Sequence, residues 1–163
     1  MTGDDAQLKR LRFLARVVQR ERKRKHLLTT DRRVFSEPFT PDRAKALADD
    51  VVLAELVEAF AARFGRLQDT LGDKLIPALL RALGESVGAA IDNLDRAERL
   101  GWLTSVDQWL VVRRLRNQMV YEYIEDPAIL ASALQAAHEQ VPMLIETSGA
   151  LLDELNLRGW SSP

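Results

Sequence analysis

The chain contains no cysteine, which excludes disulfide cross-links and thiolate metal sites. Its two histidines, His26 and His138, stand far apart in the sequence, and two isolated imidazoles do not make a zinc site, so neither a metal nor a cofactor is expected. No apolar run approaches the ~20 residues that span a bilayer, so no membrane segment is expected. The first residues, MTGDDAQLKR, lack the charged-then-apolar order of a secretory signal, and the expected compartment is the cytoplasm. Glycine (8) and proline (6) are sparse among 163 residues, and no segment sustains an alternation of apolar and polar positions. Strands are therefore not expected. Gly-rich phosphate loops, His-Glu-x-x-His and a recognisable Ser or Cys nucleophile are absent as well.

What is present is helix-forming sequence, 47% apolar, with enough hydrophobic material for a core. Leu8, Leu11, Ala15 and Val18 form one stripe of a first helix over about 4–27, which fades into QRERKRKH as if its end projected from the core. Residues 28–40 read as a loop, and Thr40 caps a short helix with Pro41 in its first turn. The element over about 49–83 carries Leu53, Val57, Phe60, Phe64, Leu67 and Leu71 at spacings of three and four, a seam for helix-on-helix packing. Pro77 cannot donate to the carbonyl of Asp73, so a kink is expected there. A shorter helix over about 87–100 turns Val87, Ile91 and Leu94 inward and ends at Gly101, with Trp102 folding back. The next, from Thr104 or Ser105 to about Tyr123, is opened by a Ser105–Gln108 capping box. Asp126-Pro127 starts the last helix, whose seam runs from Leu130 to Leu155. The expected fold is all-α: an antiparallel up-and-down helical bundle of four to five main helices. The chain is expected to divide into a basic N-terminal helix, loop and short helix (1–48) packed on a bundle core (49–156), with a tail at 157–163.

Charge is distributed unevenly. Residues 1–33 hold 11 Lys/Arg against 4 Asp/Glu, a net of +7, and residues 34–163 hold 12 against 20, a net of −8. Arg20, Arg22, Lys23, Arg24 and Lys25 are thus candidates for contact with a nucleic acid or an acidic partner, although a basic run is more often a solvated helix face. Asp69 and Asp73, four apart, either grip a metal or face solvent. His138, on the flank of the last seam, reads as a boundary histidine.

The most distinctive stretch is RNQMVYEYIEDP (116–127). It sets Arg116 and Asn117 side by side late in a helix, where the dipole favours a cation, and it holds both tyrosines of the chain, Tyr121 and Tyr123. A guanidinium, an amide and two phenols can converge on a phosphate or a base edge. Equally, the tyrosines can pin a turn while Arg116 pairs with Glu122 or Glu125.

LRNQMVYEY resembles the signature of HEPN-domain proteins, especially the HepT-like group: Arg-Asn, three further residues, His, any residue, then Tyr. Arg116, Asn117 and Tyr123 match, and Tyr121 stands at the His position. FGRLQDTLGDKLIPALLRALGE (64–85) and RLGWLTSVDQWLVVRRLRNQMVYEY (99–123) are similar to bacterial relatives described as substrate-binding partners of minimal nucleotidyltransferases, and the resemblance covers roughly 50–155. It implies a HEPN-like bundle that forms a homodimer, with Arg motifs from two chains in one cleft. It also implies metal-independent ribonuclease activity in active members, and a small nucleotidyltransferase antitoxin encoded nearby that in some pairs adds AMP to the tyrosine matched by Tyr123. Tyr121 departs from the pattern. A phenol of pKa near 10 is ionised about one part in a thousand at neutral pH, and loss of a suitable acid–base group costs ~10²–10⁴ in rate. The expectation is a regulatory subunit whose ribonuclease activity is weak or lost. The alternatives are an active ribonuclease toxin with His138 as base, and a helical homo-oligomer binding RNA through its basic first helix.

Overall fold

The computed structural model describes residues 3–22, 26–120 and 126–161. Among them there is no strand. The helices are α1 (Gly3–Arg22), α2 (Leu27–Val34), α3 (Pro41–Ala46), α4 (Val51–Asp69), a π-helical segment (Thr70–Leu75), α5 (Ile76–Ala82), α6 (Ala90–Arg99), α7 (Val106–Val120) and α8 (Pro127–Leu157). The architecture is an all-α bundle. α7 packs between α4 and α8, α2 lies on α4, α3 lies on α8, and α1 rests on the π segment, α5 and α8. One apolar cluster runs from Leu11 and Leu14 of α1 through Phe60, Phe64 and Trp109 to Leu151 and Leu155 of α8.

The seams are buried where their spacing places them. Val57, Phe60, Phe64, Leu67 and Leu71 are buried on α4 and the π segment, and Leu134, Ala137, Val141, Leu144, Leu151 and Leu155 on α8. The capping chemistry is present too. Thr40 Oγ1 accepts from the Arg43 N–H at 3.3 Å, Asp126 Oδ1 accepts from the Ala128 N–H at 2.9 Å, and Ser105 Oγ accepts from the Gln108 N–H at 3.2 Å. The second half of the Ser105–Gln108 box is not made. Gln108 Nε2 donates instead to Gln140 Oε1 of α8 at 2.9 Å, tying the two helices. After α6, Gly101 takes a positive φ of 82° that a side chain would strain. The Trp102 N–H then donates to Ala97 O at 2.9 Å, and the indole is buried.

Three expectations need correction. Residues 28–40 are not all loop. Leu27, Thr30 and Val34 recur with helical spacing and are buried, so the segment forms α2 against α4. The end of α1 does not project. Arg22 Nε donates to Ser148 Oγ at 2.8 Å and its Nη2 to Ile145 O at 3.3 Å, so the described end of α1 is tied to α8. Ile91 faces solvent, 44% exposed. Asn93 turns inward in its place and closes the preceding loop, accepting from the Gly88 N–H at 3.0 Å and donating to Gly88 O at 3.2 Å. At Pro77 the break takes the form of a change in helix type. The π segment bonds the Ile76 N–H to Leu71 O, and Pro77 falls in the first turn of α5, where a missing donor is least costly.

Candidate functional site

Trp109, Val112 and Leu115 fasten α7 to the core, and Arg116 emerges at the edge of that buried face. Its side chain lies across α4 at Gly65. A Cβ there would stand 3.1 Å from Arg116 Cγ and 3.2 Å from Nε, so the close crossing depends on glycine. Arg116 Nη2 donates to Asp69 Oδ2 at 2.7 Å, and Nη1 donates to Asn117 Oδ1 at 3.3 Å. Arg116 Nε is buried without a partner among the described residues. The ion pair is about one-third exposed on each side, so its worth is at the modest end, below ~1 kcal/mol.

This guanidinium forms one wall of a hollow of about 270 Å³ whose other charged or polar walls are Arg66, Asp69, Thr70 and Lys74. Close by is Glu21 of α1, 7% exposed. Burial pushes its carboxyl above the ordinary 4.5, against the opposing pull of the Thr70 hydroxyl and of Arg66, Arg20 and Lys74. Glu21 Oε2 and Gln68 Oε1 are both buried acceptors without a donor among the described residues. The hollow therefore holds three cations against one carboxylate, Asp69, with a second carboxyl nearby whose charged form burial disfavours. Such a surface attracts an anion, provided Asp69 yields Arg116 or shares it.

Arg116 and Asn117 are thus brought together and joined. Asp69 and Asp73 are separated in function: Asp69 holds Arg116, while Asp73 lines a different hollow. Among the described residues, no group of three or more His, Asp or Glu side chains is placed to hold a metal. The sequence offers Glu122 or Glu125 as a partner for Arg116. Both lie outside the described residues, and the carboxylate found is Asp69. Tyr121 and Tyr123 also lie outside the described residues, as do Lys23, Arg24 and Lys25. Arg20 is exposed, whereas Arg22 is committed to α8. His138 is a boundary histidine: Nδ1 sits 2.7 Å from Asp31 Oδ1, and the ring stacks on Phe35 at 4.4 Å. Burial raises the Asp31 carboxyl from its ordinary value despite the bond and charge of His138, both of which lower it. His138 does not line the Arg116 hollow.

Sequence reasoning missed Gly65, Arg66 and Lys74 as neighbours of Arg116, and Glu21 beside Thr70. The only available signal was the Gly65-Arg66 pair inside an otherwise apolar α4 seam.

Fold and site together define an all-α bundle with a cation-walled hollow beside an Arg-Asn pair. No family model matches the chain, and no curated protein or solved structure matches it either. No helix among the described residues is long and apolar enough to cross a membrane.

Proposed function

We propose that the chain is a HEPN-like regulatory subunit of the cytoplasm that forms a homodimer and pairs with a minimal nucleotidyltransferase in a toxin–antitoxin-type module, with ribonuclease activity weak or lost. The observation that carries this reading is the Arg116–Asn117 pair set at an open hollow with Asp69 already on the guanidinium. An arginine so placed grips an anion, but neither histidine lines the hollow to move a proton. His138, which an active ribonuclease would need as its base, is engaged by Asp31 and Phe35. With Tyr121 at the family's His position, electrostatic stabilisation survives and acid–base catalysis does not.

The outer face of α7 supports the homodimer. Leu110 and Val111 are half-buried in a shallow, mostly apolar hollow, with Asp107 and Arg114 exposed at either end. A two-fold axis between Leu110 and Val111 sets each of these two against the other in a second copy, and Asp107 against that copy's Arg114.

The test has three arms. Co-expression with the product of the adjoining reading frame should yield a stable complex, and that product should carry Gly-Ser and a paired Asp-x-Asp. Intact-mass and peptide analysis should find any added AMP on Tyr121 or Tyr123, the chain's only tyrosines. RNA incubated with the pure protein and chelator should be cut no faster than by Arg116→Ala. Metal-free cleavage that Arg116→Ala abolishes, or a neighbouring frame with no such protein, overturns the reading.

A further inference from the structure

The Arg116 hollow is not isolated. Lys74, at the end of the π segment, lines it and also lines a second hollow of about 360 Å³, bounded by Arg10 of α1, Arg81 of α5 and Ala90 at the start of α6. The two hollows therefore share Lys74 as a common wall. Around them stand Arg10, Arg81, Lys74, Arg66 and Arg116, against Asp73 and Asp69, of which Asp69 is already paired. Arg10, Arg81 and Lys74 make no ion pair among the described residues. A chain of net charge −1 thus concentrates unpaired positive charge along one face. α6 opens at its rim with no side-chain cap, which adds a weak positive end.

An aromatic ring completes the face. Phe13, one turn along α1 from Arg10, is 49% exposed although it is among the largest apolar side chains of the protein, and the Arg10 guanidinium lies 6.0 Å from its ring centroid. Leu11 and Leu14, its neighbours in sequence, are buried, so the phenyl is held outward by the helix register itself. Three cations around one hollow, beside an exposed ring, match the needs of a single nucleic-acid strand: charge for phosphates, and a flat apolar platform for a base. An acidic protein would use the cations and leave Phe13 without a role.

We propose that this face, Arg10–Phe13–Lys74–Arg81, binds single-stranded nucleic acid, with the three cations on the phosphates and Phe13 stacked on a base. The surface is distinct from the basic run at residues 20–25, and it stands whether or not the chain pairs with a nucleotidyltransferase.

The experiment is anisotropy of the full-length protein with a labelled oligouridine and the matching oligothymidine of about 20 nucleotides, titrated at several salt concentrations. Binding should weaken with salt. Arg10→Ala, Lys74→Ala and Arg81→Ala should each lower the slope of log affinity against log salt by about 0.7, the value for one phosphate contact on a single strand. Phe13→Ala should weaken binding about tenfold with the slope unchanged, because stacking releases no counterion. All four side chains are on the surface, and unchanged melting curves establish that the variants fold. No binding of either oligonucleotide at low salt overturns the proposal. So does binding that the four variants leave intact but that is lost when Arg20, Lys23, Arg24 and Lys25 are neutralised.

Discussion

Single side chains around Arg116 show how narrow the tolerances of the site are. Gly65 and Gly72 both leave room for a large neighbour, yet the neighbours differ. A Cβ at Gly72 would meet the Trp109 ring at 3.0 Å, and that indole is 1% exposed with nowhere to move. Overpacking costs ~1–3 kcal/mol, and the helical gain of alanine over glycine returns only ~0.5–1 kcal/mol. Gly72→Ala should therefore lower Tm, by roughly 2–4 °C for each net kcal/mol. At Gly65 the neighbour is the Arg116 stem, which can swing toward solvent. Gly65→Ala should leave stability within ~0.5 kcal/mol while parting the guanidinium from Asp69. Thermal melts of the two variants, with a crystal structure of the second, check both statements. Glu21 gives a prediction in pH. Its folded pKa is raised, so the folded state binds the proton more tightly than the unfolded chain does, and stability falls as pH rises from the ordinary 4.5 through the raised value. Glu21→Gln carries no such charge and has no proton to lose in this range. It should flatten this slope and raise Tm at pH 8 relative to the parent, read from thermal melts across the pH range. A variant as pH-sensitive as the parent means that Glu21 is not the group responsible.

At the scale of elements, the α4 and α8 seams were legible because both helices have long periodic patterns, which few other structures satisfy. α2 was not. LLTTDRRV carries only Leu27, Thr30 and Val34 on its inner edge, and two adjacent threonines followed by aspartate have the composition of a turn. What makes it helical is tertiary: its buried edge lies on α4, and Arg63 of α4 bonds both His26 O and Thr30 Oγ1. Leu27→Ala decides whether α2 belongs to the core. A loop leucine would cost little, whereas a side chain buried as fully as Leu27 should cost ~2–5 kcal/mol, read as a lower urea midpoint at unchanged m-value. The π segment was half legible. Pro77 announced a break, but the wider turn beginning seven residues earlier has no local signature. That turn brings Thr70 and Lys74 into the hollow of Arg116 and parts Asp69 from Asp73. Arg116 and Asn117 were visible as a pair of unusual neighbours. Their carboxylate was not, because Asp69 is 47 positions away in sequence and meets Arg116 only when α4 packs on α7.

For the whole molecule, the uneven charge along the sequence turned out to be a poor guide to where charge gathers in space. The basic first 33 residues are partly spent on structure, as Arg22 shows; they supply Arg10 to the cationic surface, while Arg66, Lys74 and Arg81 come from α4, the π segment and α5. Assembly is where the remaining exposed pattern has to be tested. On the outer face of α7, Asp107, Leu110, Val111 and Arg114 stand at i, i+3, i+4 and i+7, a stripe that is its own complement under a two-fold axis. Self-pairing brings opposite charges together twice, once at each end of the apolar centre. Arg114→Asp therefore sets Asp107 of each copy against a new carboxylate of the other, and like charges facing each other across an interface oppose association. Light scattering should find the parent at twice 18.4 kDa, Arg114→Asp at the monomer mass, and the double charge swap Asp107→Arg/Arg114→Asp again at the dimer mass. Restoration by the swap is the decisive result, because damage to the fold cannot be repaired by a second substitution of a surface residue. A dimer that Arg114→Asp leaves untouched moves the interface off α7, and a parent that is monomeric at every concentration removes the homodimer from the proposed function.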